Sequence, residues 1–380
     1  MKFELNDIQT AVQKLARDFA AKELAPTVVE RYEKSEYDRN LHTKWGALGI
    51  AGIPYPEEYG GPGADTISYV LAVEEISKVD AGMGISLSVH TSLCSWLIYH
   101  YGTEEQKQKY LVPLAQGVHL GSFGGTEPNA GTDFAGIQTV AINEGDHYML
   151  NGTKIFITNG GESDTYVVLA MTNKSHGAKG LSAFILEKGW DGFTFGKTED
   201  TMGINSAKVR ELIFQNVRVP KENLLGKEGE GFKMAMAALD GGRIGVAAQA
   251  VGIASAALEH AVAYTKERTQ FGKPLSDNQA LRFIMADMAT QIEYARLLVL
   301  KAAYTKDTKS RWSVEAAMAK KIASDVAMQV TVNGVQLFGG YGYTREYPME
   351  RFMRDAKITQ IYEGTTQVQQ MVVAADLIGR

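Results

Sequence analysis

Cysteine is almost missing from the chain: Cys94 is the only one in 380 residues. No intrachain disulfide and no cysteine-based zinc cage can form, which fits a reducing compartment and makes the cytoplasm the expected location. Several catalytic signatures are missing as well. There is no HExxH, no GxSxG elbow, no GxxxxGK[ST] phosphate loop and no GxGxxG after a strand, so zinc hydrolases, α/β-hydrolases, P-loop enzymes and dinucleotide-binding sheets lose support. The seven histidines are dispersed, and no spacing asks for a metal. Charge of one sign is not in excess: 39 basic against 44 acidic residues leave −5, without long runs of either, so nucleic acid is not an expected partner. The N-terminal residues mix acids and bases, unlike a secretory signal. The most apolar stretch, Ile244 to Ala263, is broken by Gln249, Glu259 and His260 and is rich in glycine and alanine. A span needs ~20 predominantly apolar residues, so this stretch reads as a closely packed internal helix and no membrane is expected.

What is present is the composition of a globular chain, 45% hydrophobic and 22% charged, long enough for about two to three domains at ~150 residues each. The first third has helical texture. Asn6 with Gln9 and Thr103 with Gln106 are capping-box pairs, and Asp65 stands ready to cap the run Ile67 to Ile76. Ile8, Val12, Leu15 and Phe19 recur at helical spacing and predict a core face. From about Gly121 the pattern changes to short β-branched and aromatic segments: Thr139 to Ile142, Tyr148 to Leu150, Ile155 to Thr158, Tyr166 to Met171, Leu181 to Leu186 and Glu211 to Val219. Turn pairs at Glu144-Gly145 and Asn151-Gly152 separate several of them, which predicts an antiparallel sheet or small barrel. After Phe232 the helical period returns near 232–266, 278–305 and 313–337, with shorter pieces at 346–357 and 366–378, the layout of a bundle. The reading is therefore α+β and multidomain: an N-terminal helical domain (1–120), a middle antiparallel β domain (121–226) and a C-terminal four-helix bundle (227–380).

Three stretches are candidates for chemistry. Phe123 to Asp133 (FGGTEPNAGTD) concentrates glycines and hydroxyls that leave backbone N–H groups, Thr126 and Thr132 available to a polar ligand; on local composition alone, an ordinary glycine-rich interdomain turn is the better reading. Lys154 to Asn159 (KIFITN) is by itself simply a strand. In Ile361 to Thr365 (IYEGT) one carboxylate stands among apolar and aromatic neighbours, and burial there would raise its pKa toward the range useful to a general base. A solvated surface glutamate is the plainer reading of that residue.

Together with LDGGRIGVAAQAVG (239–252), ERTQFGKPL (267–275) and QLFGGYGYTREYPMERFMRDAKITQIYEGT (336–365), these stretches resemble the acyl-CoA dehydrogenases, a family of FAD enzymes, essentially from end to end. The resemblance is greatest to the short-chain, butyryl-CoA type. It implies the same three-domain fold, assembled as a homotetramer. It places Phe123, Gly125, Thr126, Thr132, Phe156, Ile157 and Thr158 around the flavin. Arg268, Phe271, Gln279, Gln336, Gly339 and Gly340 are implied to bind FAD across a subunit interface, with Thr365 and Gln367 completing that site. Arg268 suits a pyrophosphate because a guanidinium forks onto phosphate oxygens. Glu363 is implied to be the catalytic base, forming trans-2-enoyl-CoA, with Thr132, Asp240, Arg243, Tyr362 and Gly364 against the acyl-CoA. The implied electron acceptor is an electron-transfer flavoprotein, with crotonyl-CoA reduction as the possible reverse direction.

Relatives that carry the base on the bundle helix place it at Gly242, which cannot ionise, and glutaryl-type relatives read a distal carboxylate with arginine at the position matching Gly84. Gly125 replaces a branched apolar residue common in the family, Asn129 and Thr132 replace Gly and Ser, and Phe156 replaces a frequent Trp; contacts against the ring tune its electronics. An acyl-CoA oxidase and a non-catalytic acyl-CoA-binding or assembly protein are the alternatives, the second disfavoured by the intact Glu363.

Overall fold

In the computed structural model, which describes residues 4–379, the chain opens with short helices. These are α1 (Asp7–Phe19), α2 (Val28–Glu33), α3 (Arg39–Ala47), α4 (Thr66–Val79), α5 (Ala81–Ser88), α6 (Trp96–Tyr101), α7 (Glu104–Gln106) and α8 (Val112–Ala115), with a π-helical segment Val89–Ser95 joining α5 to α6. Both capping boxes form, at Asn6/Gln9 and Thr103/Gln106, and Asp65 accepts from the Ser68 N–H to start α4. Of the expected core face of α1, Val12, Leu15 and Phe19 pack against the core, and only Ile8 departs from it. Ile8 is 62% exposed, while Gln9 is buried because its amide donates to Asp65 Oδ2 at 2.6 Å. Ala16 and Phe19 are the fully buried apolar residues of the helix, with Val12 and Leu15 packed beside them.

The strands are β1 (Gly121–Gly124), β2 (Val140–Asn143), β3 (His147–Thr158), β4 (Thr165–Met171), β5 (Leu181–Glu187), β6 (Phe193–Thr198), β7 (Val209–Pro220) and β8 (Leu224–Leu225), in the order β6-β7-β3-β2-β4-β5-β8. The sheet departs from the antiparallel one expected in two places. The sheet is mixed, because β1 runs parallel to β4, pairing Gly121 with Thr165 and Phe123 with Val167. Asn151-Gly152 is a bulge inside the single long strand β3 and not a reversal. Gly152, at φ +149°, lies so close to Thr139 that a Cβ would meet Thr139 Oγ1 at 2.4 Å. The period of two shows in what each strand face touches. In β4, Tyr166, Val168 and Ala170 join the small core of the sheet's outer face, whereas Val167, Leu169 and Met171 join the large core shared with the helices. The fully buried Val167, Val168 and Leu169 each contribute about 1.5–3 kcal/mol.

The last third is α9 (Gly231–Glu267), a small hairpin of β9 (Thr269–Gln270) and β10 (Lys273–Pro274), then α10 (Gln279–Thr308), α11 (Ser313–Phe338), α12 (Met349–Thr359) and α13 (Thr366–Leu377). The stretches Ala81–Tyr101 and Gly231–Glu267 are each long and apolar enough to cross a membrane, yet their most apolar windows are 100% and 72% buried inside the protein. Glycine explains how α9 fits there: a Cβ at Gly252 would meet the Glu74 carbonyl of α4 at 2.4 Å, and one at Gly245 would meet Ser88 Oγ of α5 at 2.2 Å. Small residues let these backbones approach.

Candidate active site

Glu363 sits in the turn between α12 and α13 at φ +50°, followed by Gly364 at φ +92°. A left-handed conformation at a non-glycine residue costs on the order of 1 kcal/mol and needs the surroundings to hold it. Both carboxylate oxygens are buried and accept no hydrogen bond, so what exposure the residue has comes from the rest of it. Burial raises this carboxyl to about 7, and the nearby cations Lys320 and Arg243 oppose the rise. Among the described residues the Glu363 backbone N–H has no protein acceptor. The carboxylate faces Gly242 of α9: a Cβ there would lie 2.0 Å from Glu363 Oε2 and 2.9 Å from Leu93. The position where some relatives carry their base thus directly opposes the carboxylate present here. Gly84 faces α4 instead, where a Cβ would meet Ser77 Oγ at 2.0 Å, so a side chain at this position first requires Ser77 to move.

Asp240 and Arg243 lie on the same stretch of α9, paired at 2.5 Å. Ser313 donates to the other Asp240 oxygen. Arg243 is buried with its Nε unpartnered. The Tyr362 hydroxyl donates to Gln249 Oε1, and the Gln249 amide donates to the Ala81 carbonyl at 2.8 Å. The π-helical segment connects this region to the sheet, because Leu93 touches the Gly242 side while Cys94 lies against Gly121, at 2.9 Å from where its Cβ would be.

The glycine-rich stretch begins as β1 and then runs beside β3, where the Ile155 N–H donates to the Thr126 carbonyl at 2.9 Å. Phe123, Gly125 and Ile157 are buried, Thr126 and Thr158 half-buried, and Thr132 exposed. Among the described residues the hydroxyls of these three threonines bond no protein group. Phe156 is 60% exposed and held at φ +56° where β3 departs from regular register with β7. A presented aromatic ring beside free hydroxyls fits a flat ligand with a polar edge, the shape of a flavin. Gly125 packs under an aromatic pair, with Phe134 at 2.4 Å and Phe123 at 3.0 Å from a hypothetical Cβ, so the branched residue common in relatives would require Phe134 to shift. Beneath the loop, Lys154 is fully buried and donates to Glu127 at 2.8 Å and to the Gly125 carbonyl at 3.1 Å. Glu127 also accepts from the backbone N–H groups of Gln138 and Thr139.

The other expected cofactor residues form a separate, exposed group. Arg268 lies with its guanidinium 5.6 Å from the Tyr341 ring centroid, next to Gly339 and Gly340 and the stacked pair Tyr264–Phe338. Phe271 is fully exposed at the hairpin tip at φ +52°, Gln279 starts α10 and Gln336 lies in the last turn of α11. Among the described residues no hydrogen bond, ion pair or aromatic contact joins this group to the 123–133 loop or to Phe156. Thr365 is occupied in capping α13 through the Val368 N–H, and Gln367 is exposed beside it.

Sequence reasoning missed Lys320, Gln249, Gln369 and the Glu127–Lys154 pair. No sequence signal set Lys320 apart from a solvated helix lysine; for Gln249 the signal was a lone amide within the most apolar helix.

Helices, mixed sheet and helical bundle around a buried carboxylate define a class, and comparison gives it a name. The acyl-CoA dehydrogenase N-terminal, middle and C-terminal domain models match residues 6–118, 122–217 and 229–378. The chain belongs to the acyl-CoA dehydrogenase family. The short-chain-specific acyl-CoA dehydrogenase of Megasphaera elsdenii is 58% identical over 382 residues, covering 100% of both chains. The butyryl-CoA dehydrogenase structure from that organism superposes with TM-score 0.98 at 58% identity over 100% of both chains. A chain in a structure of the electron transferring flavoprotein of Acidaminococcus fermentans matches with TM-score 0.99 at 61% identity, again over 100% of both.

Proposed function

We propose that this protein is an FAD-dependent short-chain acyl-CoA dehydrogenase that converts a butyryl-CoA-type substrate to the trans-2-enoyl-CoA and passes electrons to an electron-transfer flavoprotein. The observation that carries the reading is the Glu363 carboxyl, buried and unpartnered, with its affinity for protons raised to about 7. Such a group takes a proton near neutral pH and is free of competing donors when it does. Glu363 removes the proton next to the thioester carbonyl, and its own unpaired backbone N–H is the donor available to the oxygen on which negative charge develops. Asp240 and Arg243 hold the CoA portion along α9, Gly364 allows close approach and Tyr362 lines the pocket. Phe156, Ile157 and the hydroxyls of Thr126, Thr132 and Thr158 hold the flavin ring. Bound FAD supplies the acceptor for the hydride that leaves the neighbouring carbon.

The reading includes a homotetramer in which Arg268, Phe271, Gln279, Gln336, Gly339 and Gly340 serve the neighbouring subunit's FAD. Their separation from the flavin strand supports this, as do the exposed Phe283, Tyr294, Leu297 and Tyr304 along α10. It also includes a cytoplasmic location, in keeping with the one buried cysteine. The test is an anaerobic visible spectrum before and after adding butyryl-CoA. Bleaching of a flavin spectrum is expected; a flavin that stays oxidised with every short acyl-CoA, or a protein that takes up no FAD, refutes the reading.

A further inference from the structure

Lys320 is the most fully buried cation in contact with the Glu363 turn. It lies on the α11 face made by Ala316, Ala319 and Ala323, and is 0% exposed. An ammonium is expensive to bury unless paired, yet no carboxylate lies within ion-pair distance of it among the described residues. Its hydrogen bond goes instead to a neutral group, the Gly364 carbonyl, at 2.7 Å. The Gln369 amide donates to the same carbonyl at 2.8 Å and, more weakly at 3.4 Å, to that of Glu363. Two donors on one carbonyl fix the two consecutive left-handed residues that aim the carboxylate toward Gly242.

We infer that Lys320 is a positioning residue for the base: it clamps the Glu363–Gly364 turn through the Gly364 carbonyl and keeps a positive charge beside the carboxylate without bonding to it. The inference rests on Glu363 acting as the base. A direct ion pair would occupy the lone pairs that must take the proton. A cation held on the adjacent carbonyl favours the ionised carboxylate while leaving both oxygens open. The charged and titratable groups facing Glu363 are Lys320 from α11, Arg243 with its partner Asp240 from α9, the Tyr69 hydroxyl from α4 and the adjoining Tyr362; Lys320 itself faces Glu363, Arg243 and Asp325. Burial pushes Lys320 down to about 8 and Glu363 up to about 7. Both are therefore charged together only in the narrow range between those values.

The experiment follows anaerobic flavin bleaching by butyryl-CoA from pH 6 to 9 in the FAD-loaded protein, with Lys320→Met, Lys320→Gln and Glu363→Gln variants. In K320M the rate curve should move to higher pH. Each tenfold gain in the base's proton affinity cuts the ionised fraction at pH 7 from about a half to about a tenth, a loss of about five-fold. The half-saturating butyryl-CoA concentration should stay near wild type. K320Q keeps a donor without the charge, so it should show the same movement with a higher plateau at alkaline pH. If K320M does not hold FAD, K320Q carries the test. Wild-type pH curves in the Lys320 variants, or a loss of rate uniform in pH, overturn this role while leaving the base intact if E363Q is inactive. Wild-type bleaching in E363Q overturns the base reading itself.

Discussion

Replacing Glu363 by Gln should abolish flavin reduction by butyryl-CoA and, at the same time, stabilise the protein in a pH-dependent way. The carboxyl is raised from its ordinary 4.5 to about 7 because it is buried. A group with a raised folded pKa contributes stability that is complete below its unfolded value and is lost as pH rises through the folded one. Wild type therefore loses stability between about pH 4.5 and 7 as the buried carboxyl is forced to ionise, and the isosteric amide does not. At about 1.4 kcal/mol per tenfold in proton affinity, the difference accumulated by pH 8 is on the order of 3 kcal/mol. With an unfolding entropy of about 2.1 cal/mol/K per residue, a chain of this size unfolding as one unit would show this as roughly 4 °C. The assay is calorimetry of the FAD-loaded proteins at pH 5 and pH 8. The melting temperature of E363Q should exceed that of wild type by about that much more at pH 8 than at pH 5. An equal gap at the two pH values would refute a buried carboxyl with raised proton affinity, whatever the variant does to turnover.

Gly242→Ala should keep the fold but displace the carboxylate, since the added methyl would start 2.0 Å from Glu363 Oε2. A misplacement of about 1 Å costs on the order of a hundredfold, so a wild-type bleaching rate in G242A would contradict the geometry. Lys154→Met leaves Glu127 buried without its cation. Breaking a buried pair costs about 3–5 kcal/mol, toward the lower end here because two backbone N–H groups still serve Glu127. A lower melting temperature and weaker FAD retention on dilution are expected, with partial recovery in the K154M/E127Q double variant; an unchanged melt would show that the pair does not hold the loop.

The architecture was legible wherever local chemistry decides it. Asn6, Asp65 and Thr103 start helices because their side chains satisfy backbone N–H groups within a few residues, which any sequence window contains. It was not legible where a distant partner decides. β1 has the poor strand-forming sequence Gly-Ser-Phe-Gly, and it is a strand because β4 offers it a parallel edge. Asn151-Gly152 has turn chemistry, but its glycine serves the approach of Thr139 and the chain runs straight on. Ile8 keeps the helical spacing of Val12, Leu15 and Phe19, which do pack on the core, yet at the helix start Ile8 is exposed while Gln9 turns inward to Asp65.

The same division runs through the site. The base-bearing turn was visible as a carboxylate set among apolar neighbours, because that is a statement about adjacent residues. The groups that make the carboxylate useful come from α4, α9 and α11, tens to hundreds of residues away in sequence. In a single sequence a lysine in an alanine-rich helix resembles any solvated helix charge. Only the fold shows that Lys320 points inward, and only the hydrogen-bond geometry shows that it binds a carbonyl and leaves the acid alone. That arrangement reconciles two demands that conflict in a buried site. The base needs a cation near enough to be ionised at neutral pH, and it needs oxygens that no cation has claimed.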